Sequence, residues 1–252
     1  KERAAFHKRV DEHLLTDPEF RELDEAFKTK ITIAGELTEK AVERKLLFDW
    51  VLFDGWYLAP DFLVVLKRLN KDWVSILKQN RNLETNSFQL RDAAGKPISF
   101  ACAQIKVSEL VPLIPPNAYQ PITIDGRLYY TFTLTVRIPS IGKARIVVSF
   151  DNPERQGNYV VLVTNRTDYN AKQIIATYLL RWPVETFYQD GKQLLALDEY
   201  CMRTAQAFQK HWSLVFVAYS LLHLDCLQPS LTKQQRLPYK SIGQATRQQT
   251  QS

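Results

Sequence analysis

Two short apolar runs, residues 50–53 (WVLF) and 73–77 (WVSIL), flank a segment that opens on Pro60 and reads PDFLVVLKRLN. Proline suits the first turn of a helix, where its missing N–H costs nothing, so this segment is expected to be a helix. Strand, helix and strand at this spacing leave the two strands as parallel neighbours, because parallel strands need a crossover of about a dozen residues or more. Residues 36–47, with apolar side chains at 37, 41, 42, 46 and 47, predict a further helix ahead of the first strand. The chain therefore enters as α/β. Its first strand ends at Asp54-Gly55, which reads as a turn.

The character changes after Lys78. Residues 79–163 carry β-branched and aromatic runs (YYTFTLTVRI, ARIVVSF, NYVVLVT) separated by turn sequences such as Asp125-Gly126 and Asp151-Asn152-Pro153. Alternation from Thr131 to Val136 predicts antiparallel strands with one wet face. Helix returns at Asn170, which with Gln173 forms an approximate capping box, and runs from 171 to about 195 with a kink or break at Pro183. A second apolar helix follows over about 205–227. Its stretch 212–224 is shorter than the roughly 18 residues of a membrane span, is interrupted by polar side chains, and reads as a buried helix. The tail from Gln228 lacks periodicity and is expected to be loose. The expected division is 1–78 as a first core segment, 79–166 as a β-rich insertion, 167–227 as a second core segment with a C-terminal helix, and 228–252 as tail.

Hydrophobic residues make up 45% of the 252, which is ordinary for a globular protein. The net charge of +6 favours a polyanionic partner, although basic charge alone is shared by many proteins that never meet DNA. Cys102, Cys201 and Cys226 show no metal-ligand or disulfide spacing, which predicts reduced thiols in the cytoplasm. The first residue is Lys1 and no signal peptide follows, so the chain is expected to begin inside something larger or after processing.

Chemistry concentrates in the second core segment. Tyr178, Arg181, Glu185 and Lys192 stand at offsets 0, 3, 7 and 14. On one continuous helix they would fall within about 60° of one another. Pro183 and Gly191 are poor helix formers beside this polar stripe, a hint of a site. The plain alternative is a solvated helix face with surface ion pairs, and Asp54 by itself reads as an ordinary strand-end turn residue.

The pattern Tyr-x2-Arg-x3-Glu-x6-Lys, with its RWPVE core, resembles the signature of bacterial insertion-sequence transposases of the DDE class. The preceding VLVTNRTDYNAKQIIATYLL looks similar to that family too, and LFDGWYLAP resembles the segment around its second catalytic aspartate. The resemblance covers about residues 30–227. It implies a mixed α/β, RNase H-like core, similar to that of retroviral integrases, interrupted by a β-rich insertion between that aspartate and the catalytic glutamate. Asp54 and Glu185 are 131 positions apart with such a block between them. By resemblance Asp54 and Glu185 are catalytic ligands of Mg²⁺, with Mn²⁺ as substitute, and Tyr178, Arg181 and Lys192 hold DNA phosphates. The implied partners are transposon inverted-repeat ends and target DNA, bound by a homodimer near the bacterial nucleoid, with no membrane involved.

The chain departs from the family pattern in two ways. No carboxylate before Asp54 matches the first catalytic aspartate: Asp11, Asp17 and Asp24 lie in charged helical sequence and Asp49 is on the same strand as Asp54. The expectation is an N-terminally truncated core, inactive alone. Some relatives use a tryptophan of the inserted sheet to receive a flipped base, but residues 74–181 contain none, and Tyr129, Tyr130 and Phe132 offer either stacking faces or strand packing. Two rivals stay open: a non-catalytic remnant that binds DNA, and a structural or interaction domain whose basic charge is incidental.

Overall fold

The computed structural model describes residues 12, 16–18, 28–201 and 204–227, with backbone alone for 225–227. The charged opening stretch, the tail from 228 and the Cys226 side chain lie outside the described residues. The chain forms two compact units, Lys1–Tyr178 and Leu179–Ser252.

In the first unit, helix α1 (Lys30–Glu43) is capped by Thr29, whose hydroxyl accepts from the Thr32 N–H. It starts and stops earlier than the apolar spacing predicts. Lys45 takes a left-handed φ of 58°, which ends the helix before Leu46 and Leu47 and leaves both exposed. Strand β1 (Trp50–Phe53), helix α2 (Pro60–Arg68, Pro60 in its first turn) and strand β2 (Asp72–Ile76) follow. The two strands are parallel, in register Trp50↔Asp72 to Phe53↔Ser75, as the sequence predicts. Helix α2 buries Phe62, Leu63 and Leu66, and Phe62 meets Phe53 edge-on at 5.2 Å. Each such buried side chain stabilises the fold by about 1.5–3 kcal/mol.

The chain then adds a small hairpin, β3 (Asn82–Glu84) with β4 (Gln104–Lys106), a four-residue helix α3 (Val107–Leu110), and four longer strands. These are β5 (Gln120–Ile124), β6 (Arg127–Ile138), β7 (Gly142–Phe150) and β8 (Val160–Thr164), each antiparallel to the next. Strand β8 pairs antiparallel with β2, so one mixed sheet runs in the order β1-β2-β8-β7-β6-β5. Strands β5 to β8 thus continue the α/β sheet edge to edge, while β3 and β4 form a separate two-stranded sheet. In β6 the even positions Phe132, Leu134, Val136 and Ile138 join the core. The odd threonines carry Arg145, which donates to Thr133 and Thr135. The alternation is as predicted, but the threonine face is not wet throughout: Thr131 is buried and its hydroxyl donates to the Gln120 carbonyl.

A charged clamp joins the start of β2 to the end of β8. Arg166 pairs with Asp72 and Asp168, both at 2.7 Å, and Asn165 donates to Asp72. The hydrogen bonds from Arg166 hold the Asp168 carboxyl down at about 2. Helix α4 (Ala171–Leu179) begins with the predicted reciprocal box: Gln173 N–H donates to Asn170 Oδ1 and Asn170 N–H to Gln173 Oε1.

The second unit holds α5 (Trp182–Leu194) and α6 (Ala205–Leu227). A single helix from 171 to 195 is not what forms. The break falls at Leu180-Arg181, ahead of Pro183, because the proline ring excludes a helical carbonyl four residues back, at Leu179, and so sits in the first turn of a new helix. Phe187 of α5 stacks on Phe216 of α6 at 4.9 Å and meets Tyr219 edge-on at 4.7 Å. The α6 helix has its expected bounds but is not the buried helix predicted. Val215 and Leu222 are buried, whereas Leu214, Val217 and Leu221 are exposed. A helix apolar on all sides cannot bury every face against the one neighbouring helix described in its unit.

Candidate active site

Asp54 stands one residue beyond the C-terminal end of β1, beside the end of parallel β2. In open α/β sheets ligands bind in the crevice outside those strand ends. Local geometry fixes it. Asp54 Oδ1 accepts from the Trp56 N–H at 2.8 Å, and the Asp54 carbonyl accepts from the Tyr57 N–H at 3.1 Å. Gly55 is required by close approach: a Cβ there would lie 2.8 Å from the Ile76 carbonyl oxygen. Beyond the turn Leu58 is fully buried, and its carbonyl accepts from Arg81 at 2.8 Å. A cavity of about 480 Å³ opens here, lined by Lys30, Ile31, Asp54, Trp56 and Tyr57.

Glu185 lies in the first turn of α5, where the helix dipole favours a carboxylate. Its Oε1 accepts from Arg181 Nη1 at 2.7 Å, an i,i+4 pair with the glutamate side chain half exposed. Lys192 is in the last turn of α5, seven residues on, with its ammonium 3.7 Å from Asp198. Tyr178 belongs to α4, so the four-residue stripe is divided: the helical phase that relates Arg181, Glu185 and Lys192 does not carry back to Tyr178 across the break. Asp54 belongs to the first unit and Glu185 to the second.

Among the described residues no group of three or more His, Cys, Asp or Glu side chains is placed to hold a metal. The donor chemistry at Asp54 nevertheless suits a hard divalent cation: one carboxylate oxygen is oriented by a backbone N–H, and a carboxylate is the ligand such ions take. Two residues of this site escape sequence reading. Trp56 is 78% exposed, and the Lys78 ammonium lies over its ring at 4.0 Å. The available signal was a large aromatic in the turn right after a strand-end Asp-Gly, where no core needs it. Of the aromatics singled out in the insertion, Tyr130 and Phe132 pack against the core.

A family model described as Transposase DDE domain matches residues 25–221. The chain belongs to that family. No curated protein matches it significantly. Membership makes this a transposase domain whose partner is DNA and whose family generally uses divalent metal ions. The mixed sheet with its helices agrees with a partial RNase H-like fold of such a domain. No described helix is long and apolar enough to cross a membrane.

Proposed function

We propose that this transposase domain serves Mg²⁺-dependent cleavage of DNA at the inverted-repeat ends of a bacterial insertion sequence, and the joining of those ends to target DNA. The observation that carries this reading is Asp54 at the mouth of a parallel strand pair, its carboxylate oriented by the Trp56 N–H. Asp54 and Glu185 would hold the metal, with Mn²⁺ as substitute. When bound, such an ion supplies Lewis-acid charge and an activated water or 3′-hydroxyl for in-line attack at phosphorus. Arg181 pairs with Glu185 through Nη1, and its guanidinium would place positive charge beside a phosphate of the transposon end. Lys192 contributes a point charge and Tyr178 a phenol to the same transposon end. The protein would act as a homodimer on paired ends, at the nucleoid in the cytoplasm.

The test is single-turnover cleavage of end-bearing DNA by the full-length protein in Mg²⁺. Asp54→Asn or Glu185→Gln is expected to lower the rate by roughly 10³-fold or more, several kcal/mol of transition-state stabilisation, while DNA binding changes little. Cleavage at the parent rate in either variant would remove that carboxylate from the reaction. Binding without any cleavage by the unaltered protein would leave a DNA-binding module.

A further inference from the structure

We propose that the indole of Trp56 is a stacking platform for one unpaired nucleobase of the DNA strand bound at Asp54. This rests on the reading of Asp54 as an active-site carboxylate and names a further substrate-binding residue beside it. Several independent features converge on Trp56. The chain holds five tryptophans, and burying such a ring contributes much to a core. Trp73 does so at 5% exposure, and Trp50 packs on Tyr169 at 5.1 Å. Trp56 instead remains 78% exposed, as Trp182 is at 66%, but Trp56 sits beside the Asp54 carboxylate on a turn with little freedom to hide it. Its backbone N–H is held by Asp54, and Gly55 beside it has no room for a side chain.

The surroundings select the occupant. Lys78 covers one side of the ring with a cation at 4.0 Å, and Lys30 lines the adjoining cavity. An aromatic plane flanked by cations and beside a carboxylate that suits a metal matches a nucleotide: a flat base for the ring and a phosphate for the ammonium groups. At about 480 Å³ the cavity is ample for one base with its sugar. Base–aromatic stacking is indifferent to sequence, because every base has a π-face. The platform would therefore hold the strand in place without reading it.

The experiment titrates the protein, in EDTA at moderate salt, into a short single-stranded oligonucleotide carrying 2-aminopurine, whose fluorescence is quenched by stacking. The unaltered protein is expected to quench it. Trp56→Ala is expected to bind about 5- to 100-fold more weakly and to lose the quenching. Trp56→Phe is expected to keep most of both, which separates loss of a platform from loss of fold, as does an unchanged circular dichroism spectrum. Asp54→Asn retains an oxygen to accept from the Trp56 N–H and is expected to quench like the parent, since no metal is present. Quenching and affinity unaltered in Trp56→Ala, or no quenching by the unaltered protein, would overturn the platform. If the platform fails while Asp54→Asn still abolishes Mg²⁺-dependent cleavage, the active-site reading stands without it. If Trp56→Ala loses quenching while Asp54→Asn cleaves normally, the reverse holds.

Discussion

Asp54 and Glu185 carry the same functional group and are held by opposite means. Asp54 directly follows β1, the edge strand of the six-stranded sheet, next in sequence to buried Phe53, with its carboxylate hydrogen-bonded to the backbone two residues on. Glu185 stands on a 13-residue helix, half exposed, and is held by one ion pair with Arg181. The sheet places its carboxylate by many cooperating contacts. The helix places its own through a side chain that can change partners, since an exposed ion pair contributes only about 0–1 kcal/mol. Asp54 is therefore the more firmly placed of the two carboxylates within its own unit, and Glu185 the more adjustable within its own.

Core truncations should expose that contrast most strongly. Leu66→Ala, at a fully buried position of α2, is expected to destabilise the protein by about 2–5 kcal/mol in urea unfolding. Phe187→Ala, in the partly buried aromatic cluster of α5 and α6, should cost less, on the order of 1–2 kcal/mol. Equal losses would mean that the two carboxylates have equally firm supports.

A smaller and more local effect is expected at the turn. Gly55→Ala forces a Cβ to within 2.8 Å of a backbone oxygen and should cost about 1–3 kcal/mol while displacing Asp54. Its measure is the unfolding midpoint together with Mg²⁺-dependent cleavage, and a stable, fully active variant would show the turn to be more yielding than its geometry implies.

The smallest effect is one of pH. Arg166 depresses the Asp168 carboxyl from 3.8 to about 2, so this group's contribution to stability is present above 3.8 and is lost as pH falls through about 2. The pair is solvent-exposed, so salt should weaken the effect. Carboxyl NMR titration checks it: Asp168 should titrate near 2, and an ordinary midpoint would mean that the Arg166–Asp168 pair is open in solution.

Much of the first unit was legible because its signals are local. Pro60, the apolar runs at 50–53 and 73–77, the threonine alternation of β6 and the Asn170–Gln173 box each state their own geometry. The pairing of β2 with β8 was not, because Val74↔Thr164 joins residues 90 positions apart and nothing in either run names its neighbour. The helix break was misplaced by two or three residues because a proline acts on the carbonyl four before it, not at its own position. In the candidate site, Tyr178, Arg181, Glu185 and Lys192 were put forward by typed residues at fixed spacing, and Asp54 by the resemblance of its segment to a family motif. Trp56 and Lys78 were missed because their relation is a contact across two strand ends rather than a spacing.

The most direct measurement is a crystal structure of the protein with transposon-end DNA and Mn²⁺, in which anomalous scattering locates the metal. A Mn²⁺ peak is expected at bonding distance, about 2.1 Å, from carboxylate oxygens of both Asp54 and Glu185, with those oxygens roughly 3 Å apart. A metal bound without Asp54, or carboxylates more than about 10 Å apart with DNA in place, would contradict it.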